Sequence, residues 1–132
     1  MKYLLDTHTL LWTLISTKKL SVNSKNLLFN PNLEIFISSI TLWEISLKFN
    51  LGRLNLKNKK PDGIPDAVLK MGFGILDLDY NTASSFYKLP IIKNKDPFDR
   101  MLAWQAIREN YTLLSKDKGF DDYSSFGLKR LW

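Results

Sequence analysis

Short apolar runs alternate with helix-like periodic segments along most of the chain. The apolar runs predict strands, and helical segments separate each of them from the next. The predicted strands are residues 3–5, 34–38, 74–78 and 111–114, with a fifth candidate at 128–131. Strands that alternate with helices favour a mostly parallel sheet covered on both faces, in one domain over residues 1–132.

The helices are predicted from apolar positions three and four residues apart. Their expected ranges are 7–15, 22–29, 39–49 (or 41–49), 66–71, 82–87 and 97–110. Segment 97–110 has the strongest pattern, and Asp96-Pro97 before it has the residues preferred at a helix start. Ser21 is a suitable cap for the second helix. Residues 55–63 and 89–96 are predicted to be loops.

Composition limits the classes of function. Hydrophobic residues make up 45% of the 132 residues, which is enough to build a core. Cysteine is absent, and His8 is the single histidine, so disulfides, thiolate zinc sites and multi-histidine metal sites are excluded. A Ser-His-Asp triad would need His8, and no GxSxG motif accompanies it. The lack of cysteine fits a reducing compartment, and we expect a cytoplasmic protein.

Neither a membrane span nor a secretion signal is expected. No apolar run reaches the length of a transmembrane helix. The first 19 residues look like a signal peptide, but Asp6 and His8 interrupt the apolar stretch and no small-residue cleavage site follows. The net charge is +6, which favours an anionic partner such as nucleic acid. Scattered surface lysines are the alternative explanation.

Acidic residues recur where the predicted strands end. Asp6 follows the first strand, Glu44 lies early in the helix after the second, and Asp117 follows the fourth. Asp96 and Asp99 start the helix before the fourth strand, although the sequence leaves open whether this helix begins at the same edge. Because ligands of parallel sheets bind beyond the carboxyl ends of the strands, one pocket can collect these acids.

Each acid also has a purely structural explanation. Asp6, Asp96 and Asp99 suit a helix start, and Asp117 suits a turn. Glu44 suits an exposed helix face, where it would pair with Lys48 four residues later. Clustered carboxylates stay ionised only beside cations. Oxygen-only ligands select hard ions, so Mg²⁺ or Mn²⁺ is expected, and such ions in a basic protein suit phosphodiester chemistry.

Several motifs together resemble the PIN-domain family, and in particular the VapC-like ribonuclease toxins of bacterial toxin–antitoxin pairs. They are LLDTHTLLW (4–12), SSITLWEISLK (38–48), KDPFDRMLAWQA (95–106), TLLSKDKGF (112–120) and the terminal LW (131–132). The resemblance implies a three-layer α/β/α sandwich around a sheet of four to five strands. It also implies a metal-dependent endoribonuclease whose products carry 5′-phosphate and 3′-hydroxyl ends.

The resemblance also implies roles for individual residues. The catalytic acids would be Asp6, Glu44, Asp99 and Asp117, and the metal ligands would be these four with Asp96 as an additional acid. Thr7 and Ser115 stand beside Asp6 and Asp117, where their hydroxyls would support the site. His8 belongs to the DTH motif and is interpreted as a structural histidine. Trp104 occupies a position where the family usually has an aliphatic residue, a difference that concerns packing.

The resemblance implies an RNA substrate, a cognate antitoxin and a homodimer. The candidate RNA-binding residues flank the acids and are Arg100, Lys93, Lys95, Lys116 and Lys118, with solvated surface charge as the alternative for each. Trp12 and Trp43 could line a partner surface, but aromatic residues at helical spacing are more often core residues.

Three other functions compete with the nuclease. The first is a noncatalytic PIN-like module that binds RNA or protein. The second is a phosphoacceptor domain, for which Asp77 or Asp79 would be the acceptor, but that design needs paired acids after the first strand and only Asp6 follows it. The third is a DNA nuclease of the wider PIN-like group, but the chain is too short to include the additional DNA-binding elements.

Overall fold

A five-stranded parallel sheet forms the centre of the computed structural model, which describes residues 1–132. The strands are β1 (Lys2–Leu5), β2 (Glu34–Ser38), β3 (Gly74–Leu76), β4 (Thr112–Leu114) and β5 (Lys129–Leu131). Their order in the sheet is β3-β2-β1-β4-β5, and every neighbouring pair is parallel. The predicted strands are confirmed, and the fifth candidate pairs with β4.

Helices cover both faces of the sheet. They are α1 (Thr7–Ile15), α2 (Val22–Leu28), α3 (Ser39–Asn50), α4 (Ile64–Lys70), α5 (Tyr80–Ser85) and α6 (Pro97–Glu109). Short 3-10 helices lie at Thr17–Lys19, Pro61–Gly63, Phe86–Lys88 and Lys118–Phe126. The last of these was not predicted, although its buried residues Phe120 and Tyr123 lie three positions apart. None of the helices combines the length and the hydrophobicity that crossing a membrane requires.

Alternation of side chains along the strands divides the core into two layers. Tyr3 and Leu5 point to one face of the sheet, where they pack with residues of α1 to α4 such as Leu10. Leu4 points to the other face, where it packs with Leu102 and other residues of α6 and the last 3-10 helix. The three-layer α/β/α sandwich is therefore confirmed, with both faces of the sheet buried as parallel strands require.

Helix α6 begins at the carboxyl edge of the sheet. It ends at Glu109, and β4 starts only three residues later, at the opposite edge. A helix that leads directly into a parallel strand must run antiparallel to it, so no loop has to carry the start of α6 across the sheet. This orientation brings Asp96 and Asp99 to the same edge as Asp6.

Candidate active site

Asp6 lies at the point where the strand order reverses. In the sheet, β1 lies between β2 and β4. Its carboxyl end therefore opens into the crevice where ligands of such sheets bind. The Asp6 carboxylate caps α1 by accepting from the Thr9 amide at 2.8 Å. The Ser115 hydroxyl donates to its other oxygen at 2.5 Å. Burial raises the pKa of Asp6, and these two hydrogen bonds oppose that effect.

Glu44 reaches the same region from the first half of α3 and is only 4% exposed. The Thr7 hydroxyl donates to one carboxylate oxygen at 2.5 Å. Lys48, one turn later on α3, binds the other oxygen, so the expected ion pair is present, but the expected exposed position of Glu44 is wrong. This lysine is half-exposed, so one cation at the rim neutralises a buried carboxylate.

Asp96 and Asp99 have different surroundings. Asp96 is the N-cap of α6 and accepts from the amides of Phe98 and Asp99 at 2.8 and 3.0 Å. Asp99 projects from the first turn and accepts one hydrogen bond, from the Asn94 side chain at 2.9 Å. Capping is therefore the observed role of Asp96.

The charge on Asp99 is poorly compensated. Burial raises the pKa of the Asp99 carboxyl to about 6, against the effect of its single hydrogen bond. This value includes the smaller effect of the negative charges of Asp96, Glu44 and Asp6, which act in the same direction as burial. Mutual repulsion shows that these four acids share one electrostatic environment, although they come from separate parts of the chain.

Asp117 is the most exposed of the five acids. It caps the 3-10 helix Lys118–Phe126 by accepting from the Gly119 amide at 2.8 Å, as its structural explanation predicted. With Asp6 it also lines an open depression of about 280 Å³. Ser115 joins the two acids, because its hydroxyl donates to Asp6 and accepts from the Asp117 amide at 3.0 Å.

The donor set suits a hard divalent cation in chemistry and charge. All five candidate ligands are carboxylates, and only one of them, Glu44, is paired with a cation. However, no three acidic or histidine side chains lie close enough together to hold a metal ion as they stand. Three of the carboxylates instead accept hydrogen bonds from the side chains of Thr7, Ser115 and Asn94. The residues therefore have the ligand chemistry for a divalent metal ion, but their side chains must move before three of them can bind one ion.

The candidate RNA-binding residues divide into two groups. Lys93, Lys95, Lys116 and Lys118 are exposed, and Lys116 lines the same depression as Asp6 and Asp117. Arg100 instead donates to the carbonyl oxygens of Leu89 and Pro90 at 3.2 and 3.4 Å and to the Tyr123 hydroxyl at 3.3 Å. Its guanidinium holds the loop before α6, which does not favour the phosphate contact expected from the sequence.

The aromatic residues differ in part from expectation. His8 is exposed, and its ring packs against that of Trp12 with centroids 5.8 Å apart. Trp12 is half-buried against the first core layer. Trp43 is not a core residue, because 59% of it is exposed and its ring meets Phe98 edge-on.

Sequence reasoning missed several polar residues of the site. Asn94 lies in the segment assigned as a loop, yet it binds both Asp99 and the amide of Asp96. Ser38 and Gln105 form a fully buried hydrogen bond of 2.5 Å between β2 and α6. An Asn two residues before a helix cap is a usable signal, whereas the partner of a buried Gln cannot be read from one sequence.

Comparison with known proteins gives one family and a consistent set of folds. The PIN domain model matches residues 3–125. The VapBC2 complex of Rickettsia felis, bound to a DNA fragment from its promoter, contains a chain with 24% identity and a TM-score of 0.68; the match covers 99% of this chain and 98% of that one. The DNA-bound VapBC of Salmonella typhimurium contains a chain with 20% identity and a TM-score of 0.66. That match covers 99% of this chain and 97% of the other.

A further match extends the same fold. FitAcB from Neisseria gonorrhoeae gives 18% identity, a TM-score of 0.59 and coverages of 98% and 96%. No curated protein matches the sequence significantly. At these identities the solved structures establish the fold, and the family model establishes the family expected from the sequence motifs.

Proposed function

The chain belongs to the PIN domain family, and we propose that it is a metal-dependent endoribonuclease and the toxin of a toxin–antitoxin pair. One observation supports this most directly. Acidic side chains from three helix starts and from α3 gather at the carboxyl edge between β1 and β4, and two of them are buried. Asp6 is buried with no cation beside it, and Asp99 is half-buried among other acids, so each is a poorly compensated charge that a bound cation would neutralise.

The proposed cofactor is Mg²⁺ or Mn²⁺. The residues proposed to hold it are Asp6, Glu44, Asp96, Asp99 and Asp117. A bound divalent ion would neutralise phosphate oxygens and activate a water for attack on phosphorus. The excess negative charge around Asp99 supports this assignment, because a cation would relieve it.

The catalytic acids proposed are Asp6, Glu44, Asp99 and Asp117. Two of them accept hydrogen bonds from hydroxyls, Asp6 from Ser115 and Glu44 from Thr7, and these contacts orient the two carboxylates. Each hydroxyl leaves lone pairs of its carboxylate free for a further ligand.

The proposed substrate is RNA. Lysines at the rim would contact phosphates while the acids below them act on the scissile bond, which reconciles a net charge of +6 with an acidic site. These rim lysines are Lys93, Lys95, Lys116 and Lys118.

An antitoxin and a second copy of the chain are the proposed partners, in the cytoplasm, and the chain is proposed to form one domain over residues 1–132. Helix α3 supports a partner surface, because Trp43, Leu47 and Phe49 are exposed along it. The similar folds that are named as VapBC complexes support an antitoxin as the partner.

A noncatalytic PIN-like binding module is the second candidate. The observation in its favour is that no three acids surround one point where an ion could sit. Metal binding distinguishes the two functions, because the nuclease requires the carboxylates to converge when the ion is added.

The test compares RNA cleavage by the protein and by Asp99→Asn, each with Mn²⁺, Mg²⁺ or EDTA. The substitution keeps the shape of the side chain and removes one charge. Asp66→Asn is the matched control, because Asp66 is an exposed acid in the first turn of α4. We expect cleavage only with metal, retained in the control and lost by at least about 100-fold in Asp99→Asn.

The alternatives give different results. Equal cleavage by the protein and Asp99→Asn would refute the role of this site. An inactive protein that gives no heat on titration with Mn²⁺ would favour the noncatalytic module.

A further inference from the structure

Two surface depressions meet at His8 and Trp12, beside the acids. The first contains Asp6, Asp117 and Lys116, and the second, of about 310 Å³, continues along α1 to the loop around Lys57. We propose that the two form one track for single-stranded RNA, in which Trp12 stacks on a base and lysines hold the backbone. This inference rests on the proposed function, since the track leads to the proposed scissile position.

The charges along the track suit a polyanion. Lys116 lies at its near end, and Lys19 and Lys57 lie at its far end. All three are exposed, and neither far lysine takes part in a salt bridge. The second depression contains no acidic residue, so negative charge is confined to the end at Asp6 and Asp117. Exposed lysines along a groove that ends at acidic residues suit the phosphates of a strand that leads to a metal-dependent site.

The aromatic groups form a fixed platform. Trp132 packs edge-on against Trp12, with ring centroids 5.8 Å apart and an interplanar angle of 64°. The His8 ring lies 5.8 Å away on a tilt of 41°. The Lys116 ammonium lies 6.0 Å from the Trp12 ring centroid, within reach of a cation–π contact. An indole held in place by neighbours loses little conformational entropy when a base stacks on it.

RNA is a better occupant than an apolar peptide. Leu11, Ile15 and Leu54 give the second depression apolar walls, which a peptide could also use. The lysines and the continuity with the acids favour RNA instead. Alternation of aromatic and basic side chains along a groove is the usual composition of a single-strand binding surface.

The test measures RNA binding without cleavage. Fluorescence anisotropy in EDTA follows a labelled oligouridylate of about 12 nucleotides, a length within the usual site size of such surfaces. The variant is Lys19→Gln with Lys57→Gln. The matched control is Lys70→Gln with Lys129→Gln. It also removes two exposed lysines, but these lie on α4 and β5 and line neither depression. Thermal melting checks that all the proteins are folded.

We expect the groove variant to bind about tenfold more weakly than the control at low salt. Its plot of log affinity against log salt should be shallower by about 1.4, since each lost single-strand phosphate contact removes about 0.7. A second measurement uses the unaltered protein. RNA containing 4-thiouridine should crosslink to the tryptic peptide of residues 3–18, which carries His8 and Trp12.

Three outcomes would overturn the track. The first is equal affinity of the groove variant and the control. The second is crosslinking that avoids peptide 3–18. The third uses polyglutamate as a second probe. If the groove variant keeps its affinity for RNA but loses affinity for polyglutamate, the groove binds an acidic protein partner. In each case cleavage by the unaltered protein would still support the nuclease, whereas a protein that neither binds nor cleaves RNA would remove both proposals.

Discussion

Removing the charge of Asp99 should stabilise the protein when metal is absent. In the folded chain this carboxylate is half-buried, accepts one hydrogen bond from Asn94 and is repelled by three other acids. In the unfolded chain the same group is solvated and free of that repulsion. Asp99→Asn keeps an oxygen to accept from Asn94 and eliminates the repulsion. A residue proposed to bind metal therefore opposes folding until the metal arrives.

The magnitude follows from the change in pKa. The pKa of Asp99 rises from the ordinary value of 3.8 to about 6 on folding. At about 1.4 kcal/mol for each tenfold change in proton affinity, this rise corresponds to about 3 kcal/mol. The carboxyl group is only partly buried, so solvent screening reduces the effect, and we expect about 1 kcal/mol at pH 7.5. For a domain of this size, that raises the melting temperature by about 3 to 5 °C.

The pH dependence has a definite sign. Because the pKa of Asp99 is higher in the folded state, folding takes up a proton between pH 3.8 and about 6. The charge penalty is absent below this window, grows as the pH rises through it and is complete above pH 6. The stability advantage of Asp99→Asn should therefore be full at pH 7.5 and vanish near pH 3.8.

Urea unfolding followed by circular dichroism in EDTA measures this difference, with Asp66→Asn as the control for losing an exposed acid. Added Mn²⁺ should stabilise the unaltered protein and stabilise Asp99→Asn less, because one ligand is lost. The reasoning is refuted if Asp99→Asn is less stable than the unaltered protein in EDTA at pH 7.5. It is equally refuted if the difference between the two is the same at both pH values.

Three further predictions test the packing and the metal site. Ser115→Ala should lower the free energy of unfolding by about 1 to 3 kcal/mol, because it leaves a buried oxygen of Asp6 without its hydrogen-bond donor. Ser125→Ala is the control and should change this free energy little, because Ser125 is exposed. Gly74→Ala should cost about 1 to 3 kcal/mol, since a Cβ would lie 2.5 Å from the Phe36 ring, and Gly63→Ala, with nothing within 4 Å, is its control in the same urea assay. Titration calorimetry should show that the unaltered protein binds Mn²⁺ more weakly as the pH falls from 7.5 to 5, because protons compete for the carboxylates; unchanged affinity would contradict the carboxylate ligands.

The spacing of hydrophobic residues was enough to predict the sheet, and the error at the end of β3 has a cause that is distant in the sequence. β2 and α1 have the expected limits, because their apolar patterns end sharply at polar residues. β3 ends at Leu76 rather than at residue 78, and the Leu78 amide donates instead to the Ser39 hydroxyl. A side chain 39 residues away in the sequence thus competes for the backbone of the strand. Such competition leaves no trace in local periodicity.

The positions of the acids could be predicted because they follow from topology. In a parallel sheet the residue after each strand reaches one edge, so Asp6 and Asp117 had to lie near each other. The exposure of Trp43 could not be predicted in this way. Its helix α3 is apolar on most sides, and which side faces the core depends on contacts with α6 that one sequence does not contain.

The hydroxyl partners of the acids show where sequence adjacency fails. Adjacency pairs Thr7 with Asp6 and Ser115 with Asp117, but the Thr7 side chain donates to Glu44 and the Ser115 side chain donates to Asp6. Neighbouring side chains at a helix start point in different directions, so each hydroxyl serves a carboxylate from another element. These exchanged contacts join the start of α1 to α3 and to the residue after β4 at one edge of the sheet. A substitution at either hydroxyl therefore disturbs an acid far away in the sequence, and the site depends on the complete fold rather than on any one motif.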